Sequence, residues 1–225
     1  VGDPGEVLRR GAVTRYDITI AMGAGTPEWP GDTPFSCGWA WDMAAGASVN
    51  VGKVTTSLHL GTHADAPLHV KQDGAPSESL PLEAFCGPAT VLDCQDAVDG
   101  PTLTTEWLEE ALAGQRMPVR LLLRTGRTVA GGTFPAGWPS LTPSAAAWLA
   151  RGGLRLLGVD APSVDPKTAT DLAVHHALFD AGAFLIENLR LEQVPVGEYH
   201  LTGYPVLVEG ADAAPLRAVL EPLAR

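Results

Sequence analysis

The chain is short of the features that mark most other chemistries. No apolar run reaches the ~18 residues of a membrane-spanning helix, and there is no fixed-period repeat or low-complexity tract. GxSxG and HGGG are absent, which leaves no support for a nucleophile-elbow hydrolase. GxGxxG and GxxxxGK[ST] are absent too, which argues against dinucleotide and P-loop nucleotide chemistry. Cysteine is scarce: Cys37, Cys86 and Cys94 are an odd number with no CxxC pair, and they read as reduced thiols in a cytoplasmic protein. Cys86 and Cys94 lie in apolar surroundings and are expected to be buried. Positive charge is also short, with 15 Lys and Arg against 26 Asp and Glu. The net charge of −11 argues against nucleic acid and anionic membranes as partners. The opening residues lack a basic region followed by an apolar stretch, so no secretory signal is expected there.

What is present suits one globular domain. The 225 residues are 45% hydrophobic and contain no linker-like stretch. Residues 12–22 alternate and carry β-branched side chains, which predicts a strand. Residues 23–35 hold three prolines and three glycines and predict a long irregular segment around Trp29. Trp29 reads equally well as a ring pinning a surface loop and as a ring lining a pocket. A strand is predicted over 49–60, with His59 at its end, then a polar loop over 70–83 and a strand over 87–93. Helices are predicted at about 106–113 and over 143–151, the second from Thr142 as N-cap with proline at the first helical position. Strands over 119–124 and 154–159 flank that second helix, as in a parallel βαβ crossover. A short helix over 170–181, a strand over 183–187 ending on Glu187, and strands over 199–208 and 218–220 complete a mixed α/β chain.

Five of the six histidines fall in two clusters: His59, His63 and His69, then His175 and His176. Histidine is the commonest metal ligand, and Asp65 lies inside the first cluster. His59, His63 and Asp65 are therefore expected to bind metal, and His69 to move a proton. Gly61 and Pro67 argue for a strand-to-loop placement of these residues over helical spacing. His59, His63 and Asp65 suffice for one metal; a second needs further ligands. Glu187 ends an apolar strand, where a carboxylate is costly unless paired or metal-bound; it reads as a ligand, or as a partner of Arg190. Asp160 ends another strand, and a structural role suits it better than orienting a histidine. Hydrolysis by metal-activated water is the chemistry best supported.

The run His-Leu-Gly-Thr-His-Ala-Asp-Ala-Pro-Leu-His at 59–69 resembles the HxGTHxDxPxH signature of the metal-dependent cyclase superfamily. Within it, the chain is most similar to the bacterial kynurenine formamidases. Residues 26–35 look like that family's tryptophan loop. Matches follow in order at 50–55, 122–126, 158–166, 175–178, 186–189, 194–199 and 214–219. The resemblance implies that His59 and His63 ligate a first zinc, that Asp65 is shared by both metals, and that His175 and Glu187 ligate a second. It selects His175 over His176, makes His69 the proton donor and acceptor, and puts Trp29 against the substrate. It also implies a compact domain of the swivelling β/β/α type, with a barrel-like mixed sheet and flanking helices over 11–225. Residues 1–10 read as an N-terminal extension, flexible or tag-like. Two Zn²⁺ per subunit, with Mn²⁺ as the alternative, and a homodimer or larger homo-oligomer belong to the same set of expectations.

The expected reaction is hydrolysis of N-formyl-L-kynurenine, an aryl formamide, to L-kynurenine and formate. A hydroxide held between the metals attacks the formyl carbon, and His69 protonates the leaving aniline nitrogen. The alternatives are another amide or lactone hydrolase of the superfamily, acting for instance on isatin, and a non-catalytic metal-binding protein.

Overall fold

The described residues form a two-stranded hairpin, a curled sheet and three short helices. The computed structural model describes residues 15–95 and 102–223. The expected extension over 1–10 lies outside the described residues. In chain order the strands are β1 (Tyr16–Asp17), β2 (Ser36–Trp41), β3 (Val51–Thr55), β4 (His63–Asp65), β5 (Cys86–Asp93), β6 (Thr102–Leu103) and β7 (Arg120–Arg124). They continue with β8 (Ser140–Leu141), β9 (Leu156–Val159), β10 (Phe184–Ile186), β11 (Gly197–Thr202), β12 (Ala213–Pro215) and β13 (Val219–Pro222). The helices are α1 (Thr105–Ala111), α2 (Pro143–Arg151) and α3 (Ala173–Asp180).

Seven strands form the main sheet in the order β1-β13-β11-β5-β7-β9-β10, curled into a half-barrel. Strands β5, β7, β9 and β10 pair in parallel with one another, and the β1–β13, β13–β11 and β11–β5 pairings are antiparallel. The predicted crossover is there: β7 and β9 pair in parallel on either side of α2 in sequence. Strand β7 is buried on both faces, as central parallel strands are. Leu121 and Leu123 pack with Leu108, Leu149 and Leu178 of the helices, while Leu122 joins Phe85, Val91 and Ile186 on the other face. The mixed α/β architecture with flanking helices is the one the sequence led us to expect.

Helix α2 has the bounds read from sequence, because the Thr142 side chain accepts a hydrogen bond from Ala145 N and Pro143 sits at the first helical position. Several other bounds differ. The strand expected over 49–60 ends at Thr55, since its only partner is β2 and their last pair is Ser36 with Thr55. His59 therefore sits in a turn beyond the strand. The strand expected over 199–208 ends at Thr202, and Pro205 keeps only an isolated bridge to Leu216. Helix α3 starts late, at Ala173, because Leu172 is in the left-handed region (φ 45°). Pro67 opens a single 3-10 turn over Pro67–His69.

Candidate metal centre

The first histidine cluster is built by a turn and a very short strand. Gly61, at φ +69°, makes the turn after His59; a Cβ there would meet Ile20 O at 2.7 Å. The next residue, Thr62, is a buried tie: its hydroxyl accepts from Ile20 N (2.7 Å) and donates to Asn188 O (2.5 Å). His63 then exchanges backbone hydrogen bonds with Glu187 (His63 N to Glu187 O 3.4 Å, Glu187 N to His63 O 3.0 Å). On its other side β4 pairs with β12, Ala213 opposite Asp65. So Glu187, distant in sequence, is locked beside His63 and Asp65 by main chain. His175 arrives from the first turn of α3.

The side chains converge. His59 Nδ1 and His63 Nε2 are 3.2 Å apart, and each lies close to Asp65 Oδ1, at 3.1 and 3.2 Å. The other half gathers Asp65 Oδ2 and His175 Nε2 at 3.2 Å, and His175 Nε2 and Glu187 Oε1 at 3.4 Å. Glu187 Oε2 also comes within 3.7 Å of His63 Nε2. His63, Asp65, His175 and Glu187 are all buried. Both sets His63, Asp65, Glu187 and His59, Asp65, His69 bring ligand-type atoms within 4.8 Å of one another.

Each imidazole is held from behind. His63 Nδ1 donates to Gly61 O (2.9 Å), His175 Nδ1 donates to Asp165 Oδ2 (2.6 Å), and His59 Nε2 donates to Asp212 Oδ2 (3.0 Å). Asp165 also accepts from Val174 N and His175 N, so it caps α3 while it orients the ring. These bonds leave the other nitrogen of each ring as a lone pair aimed inward. Two lone pairs 3.2 Å apart beside buried carboxylates repel unless a proton or a cation lies between them. Burial alone would lower the His59 pKa, but Asp212 and Asp65 overcome it and raise the ring from 6.5 to about 10. His175 is raised well above 6.5 in the same way, Asp165, Asp65 and Glu187 outweighing burial. Asp65 is held well below the usual carboxylate range, His63 and the other imidazoles outweighing its complete burial.

A divalent cation fits this donor set. Asp65 Oδ1 is buried and accepts no hydrogen bond. The edges of 3.1–3.2 Å between it, His59 Nδ1 and His63 Nε2 match donors on a tetrahedral ion at zinc–ligand lengths, which lie about 3.3 Å apart. Mixed imidazole and carboxylate donors suit zinc or manganese.

A cavity of 560 Å³ opens over the cluster, and Trp29, His59, His69, Phe134, His175 and Glu187 are among its lining residues. Trp29 does both things its sequence context allowed. It lines the cavity, and it packs edge-on against Phe134 (5.4 Å between ring centroids) and Trp138 (6.0 Å). His69 sits on the 3-10 turn at the cavity wall, its ring 4.3 Å from that of His59, and its Nδ1 faces Asp212 Oδ2 at 3.3 Å.

Asp160 plays the structural part, accepting from Thr125 N (2.7 Å) and Gly126 N (3.0 Å), and Asp165 is the carboxylate that orients a histidine. Arg190 lies nearest Glu192 and leaves Glu187 to the cluster. His175 faces Asp65, and the half-buried His176 has no bond to the cluster. Asp212 and Phe134 carried no sequence signal beyond their residue type. Cys94 is buried as expected, whereas Cys86 is half-buried with His200 Nε2 3.4 Å from its sulfur. No helix among the described residues is long and apolar enough to cross a membrane.

Known proteins share this arrangement of sequence. The model of the Cyclase family matches residues 16–166. A protein named kynurenine formamidase from Bordetella avium (strain 197N) is 39% identical over 208 residues, 92% of this chain and 98% of that protein. One of the same name from Bordetella pertussis (strain Tohama I) is 39% identical over 209 residues, covering 93% and 98%. Among solved structures, a predicted metal-dependent hydrolase from Bacillus stearothermophilus superposes with a TM-score of 0.78 at 29% identity, over 93% of this chain and 98% of that one. An isatin hydrolase bound to thioisatinate has a TM-score of 0.79 at 21% identity, over 98% and 96%, and shares the fold. The chain belongs to the Cyclase family.

Proposed function

We propose that the chain is a metal-dependent arylformamidase that hydrolyses N-formyl-L-kynurenine to L-kynurenine and formate. The observation that carries this is the convergence of three imidazole lone pairs on two buried carboxylates beneath an aromatic-walled cavity. The 39% identity to proteins named kynurenine formamidase supports the substrate.

His59, His63 and Asp65 would hold one divalent ion, and Asp65, His175 and Glu187 a second, with Zn²⁺ favoured and Mn²⁺ as the alternative. Such ions supply Lewis acidity and make water a competent nucleophile near neutral pH. The chain's own residues do the rest. Trp29 and Phe134 offer rings to the aryl group, and a cavity of 560 Å³ is of the size small ligands occupy. Hydrolysis breaks the formyl C–N bond, leaves the oxygen of water on formate and sends a proton to the aniline nitrogen. His69, half-exposed on the wall and held through Nδ1 by Asp212, carries that proton on Nε2.

The same proposal includes a homo-oligomer, a dimer or larger, and a cytoplasmic setting. Three free thiols suit a reducing compartment. The exposed β2–β3 hairpin suits a contact between copies.

The test is turnover of N-formylkynurenine, isatin and a dienelactone side by side, before and after chelation and after restoring Zn²⁺ or Mn²⁺. N-formylkynurenine is expected to be the best substrate, with activity lost to chelator and regained with metal. Preference for isatin would move the reading to a cyclic-amide hydrolase. Failure on all three substrates, with well under one metal per chain, would favour a non-catalytic protein.

A further inference from the structure

Two carboxylates grip the histidines from outside the cluster, and they differ in reach. Of the imidazoles, Asp165 faces that of His175. Asp212 Oδ2 lies 3.0 Å from His59 Nε2 and 3.3 Å from His69 Nδ1, so one oxygen faces two imidazoles from different turns. Main chain puts it there. Ala66 N donates to Asp212 O (2.9 Å), Ser77 N donates to Ala211 O (2.8 Å), and the next residue, Ala213, pairs with Asp65 in β4. The carboxylate is thus delivered by the strand that flanks Asp65. The two rings it faces are 4.3 Å apart and tilted by 43°.

We propose that Asp212 is a positioning residue that fixes the tautomer and tilt of His69 while orienting His59, so that proton transfer and metal retention depend on one carboxylate oxygen. This rests on His59 as a ligand and His69 as the proton carrier in the function proposed above. The physical reason is simple. A hydrogen bond at Nδ1 assigns the proton there and leaves Nε2 to exchange protons with substrate. His69 is part-exposed on a one-turn helix, its ring packs against those of His59 and His175, and among the described residues the hydrogen bond that ring makes is the one to Asp212. At His59 the same oxygen acts as the outer acceptor that metal-bound imidazoles commonly have, which holds the ring and strengthens its inner nitrogen as a donor.

The experiment compares the parent with Asp212→Ala, Asp212→Asn, His69→Ala and the double variant His69→Ala/Asp212→Ala, all assayed on N-formylkynurenine at saturating metal. Metal release is followed separately against increasing chelator, without substrate. Asp212→Ala is expected to lower kcat about 10–100-fold with KM within about twofold, and to release metal at roughly tenfold less chelator. Asp212→Asn keeps the shape without the charge and is expected to lose about 3–10-fold in kcat. In the His69→Ala background, Asp212→Ala is expected to change kcat by less than about twofold, because the group it positions is gone. An equal loss in both backgrounds would show a merely structural role and overturn the proposal. So would Asp212→Asn indistinguishable from the parent, which is the deciding variant should Asp212→Ala not fold. If the parent fails to turn over N-formylkynurenine, the substrate reading falls. The chelator series then judges Asp212 alone: early release supports its hold on His59, and unchanged release overturns it.

Discussion

His59 and His175 turn ring nitrogens toward buried carboxylates, and in metal-free protein protons on these two rings offset that negative charge. This has a pH consequence. The His59 pKa is raised from 6.5 to about 10, and His175 is raised in the same direction. A raised pKa gives stability that is fully present below the unfolded value and lost as pH climbs through the folded value. The melting temperature of chelated protein is therefore expected to fall between pH 6.5 and about 10. Each kcal/mol corresponds to about 2–4 °C in a chain of this size. Metal binding displaces those protons, so the stabilisation gained on adding metal should grow over the same range. Calorimetry of chelated and loaded protein checks both; a flat metal-free profile would contradict the assignment. His59, His63, Asp65 and His69 could be suspected from sequence because they sit within one short run. His175 and Glu187 entered as a pair only through the family resemblance, since their separation from that run leaves no local pattern. Asp165, Asp212 and Phe134 were illegible for a plainer reason. A single acidic or aromatic residue in an irregular segment has no periodicity, and what gives each its place is a strand or helix from elsewhere.

The 3-10 turn over Pro67–His69 is closely approached by Gly74. A Cβ on Gly74 would lie 2.4 Å from the carbonyl carbon and oxygen of Pro67 and 2.6 Å from Leu68 N. Those atoms are backbone, so the turn itself must shift. Gly74→Ala is expected to cost about 1–3 kcal/mol of stability. It should also lower kcat far more than it alters KM, because the displaced turn carries His69. Melting and steady-state kinetics on the same preparation test this, and an unchanged kcat in a destabilised protein would separate the turn from catalysis. Legibility among the elements follows from capping. Helix α2 was read correctly because Thr142 and Pro143 announce its start chemically. Strand β3 is shorter than its polarity pattern predicts, because the pattern continues after its hairpin partner has run out.

For the whole molecule, the unusual feature is the β2–β3 hairpin. Trp39, Trp41, Met43 and Val54 are 56–60% exposed, on a ribbon that among the described residues pairs only with itself. Two-stranded ribbons are marginal alone, and apolar surface of this kind marks a contact site. With a second copy as its partner, the parent is expected to sediment as a dimer or larger. Trp39→Glu combined with Trp41→Lys is expected to shift it toward the 23.5 kDa monomer. A monomeric parent would defeat this. The fold class and the parallel crossover were legible in the alternation of strand and helix patterns. The order of the seven strands was not, because register across β13, β11 and β5 depends on pairings between segments far apart in the chain.

The pairing of β12 with β4 also sets a clock. His59 and Asp212 are 153 residues apart. Ribosomes add about 5–20 residues per second, so roughly 8–30 s separate the synthesis of one from the other. For that interval the nascent chain carries the turn of His59 and His63 without the strand that flanks Asp65 or the carboxylate that faces His59. For the metal site proposed above, loading is expected to follow the closing of the fold and not the emergence of the histidines.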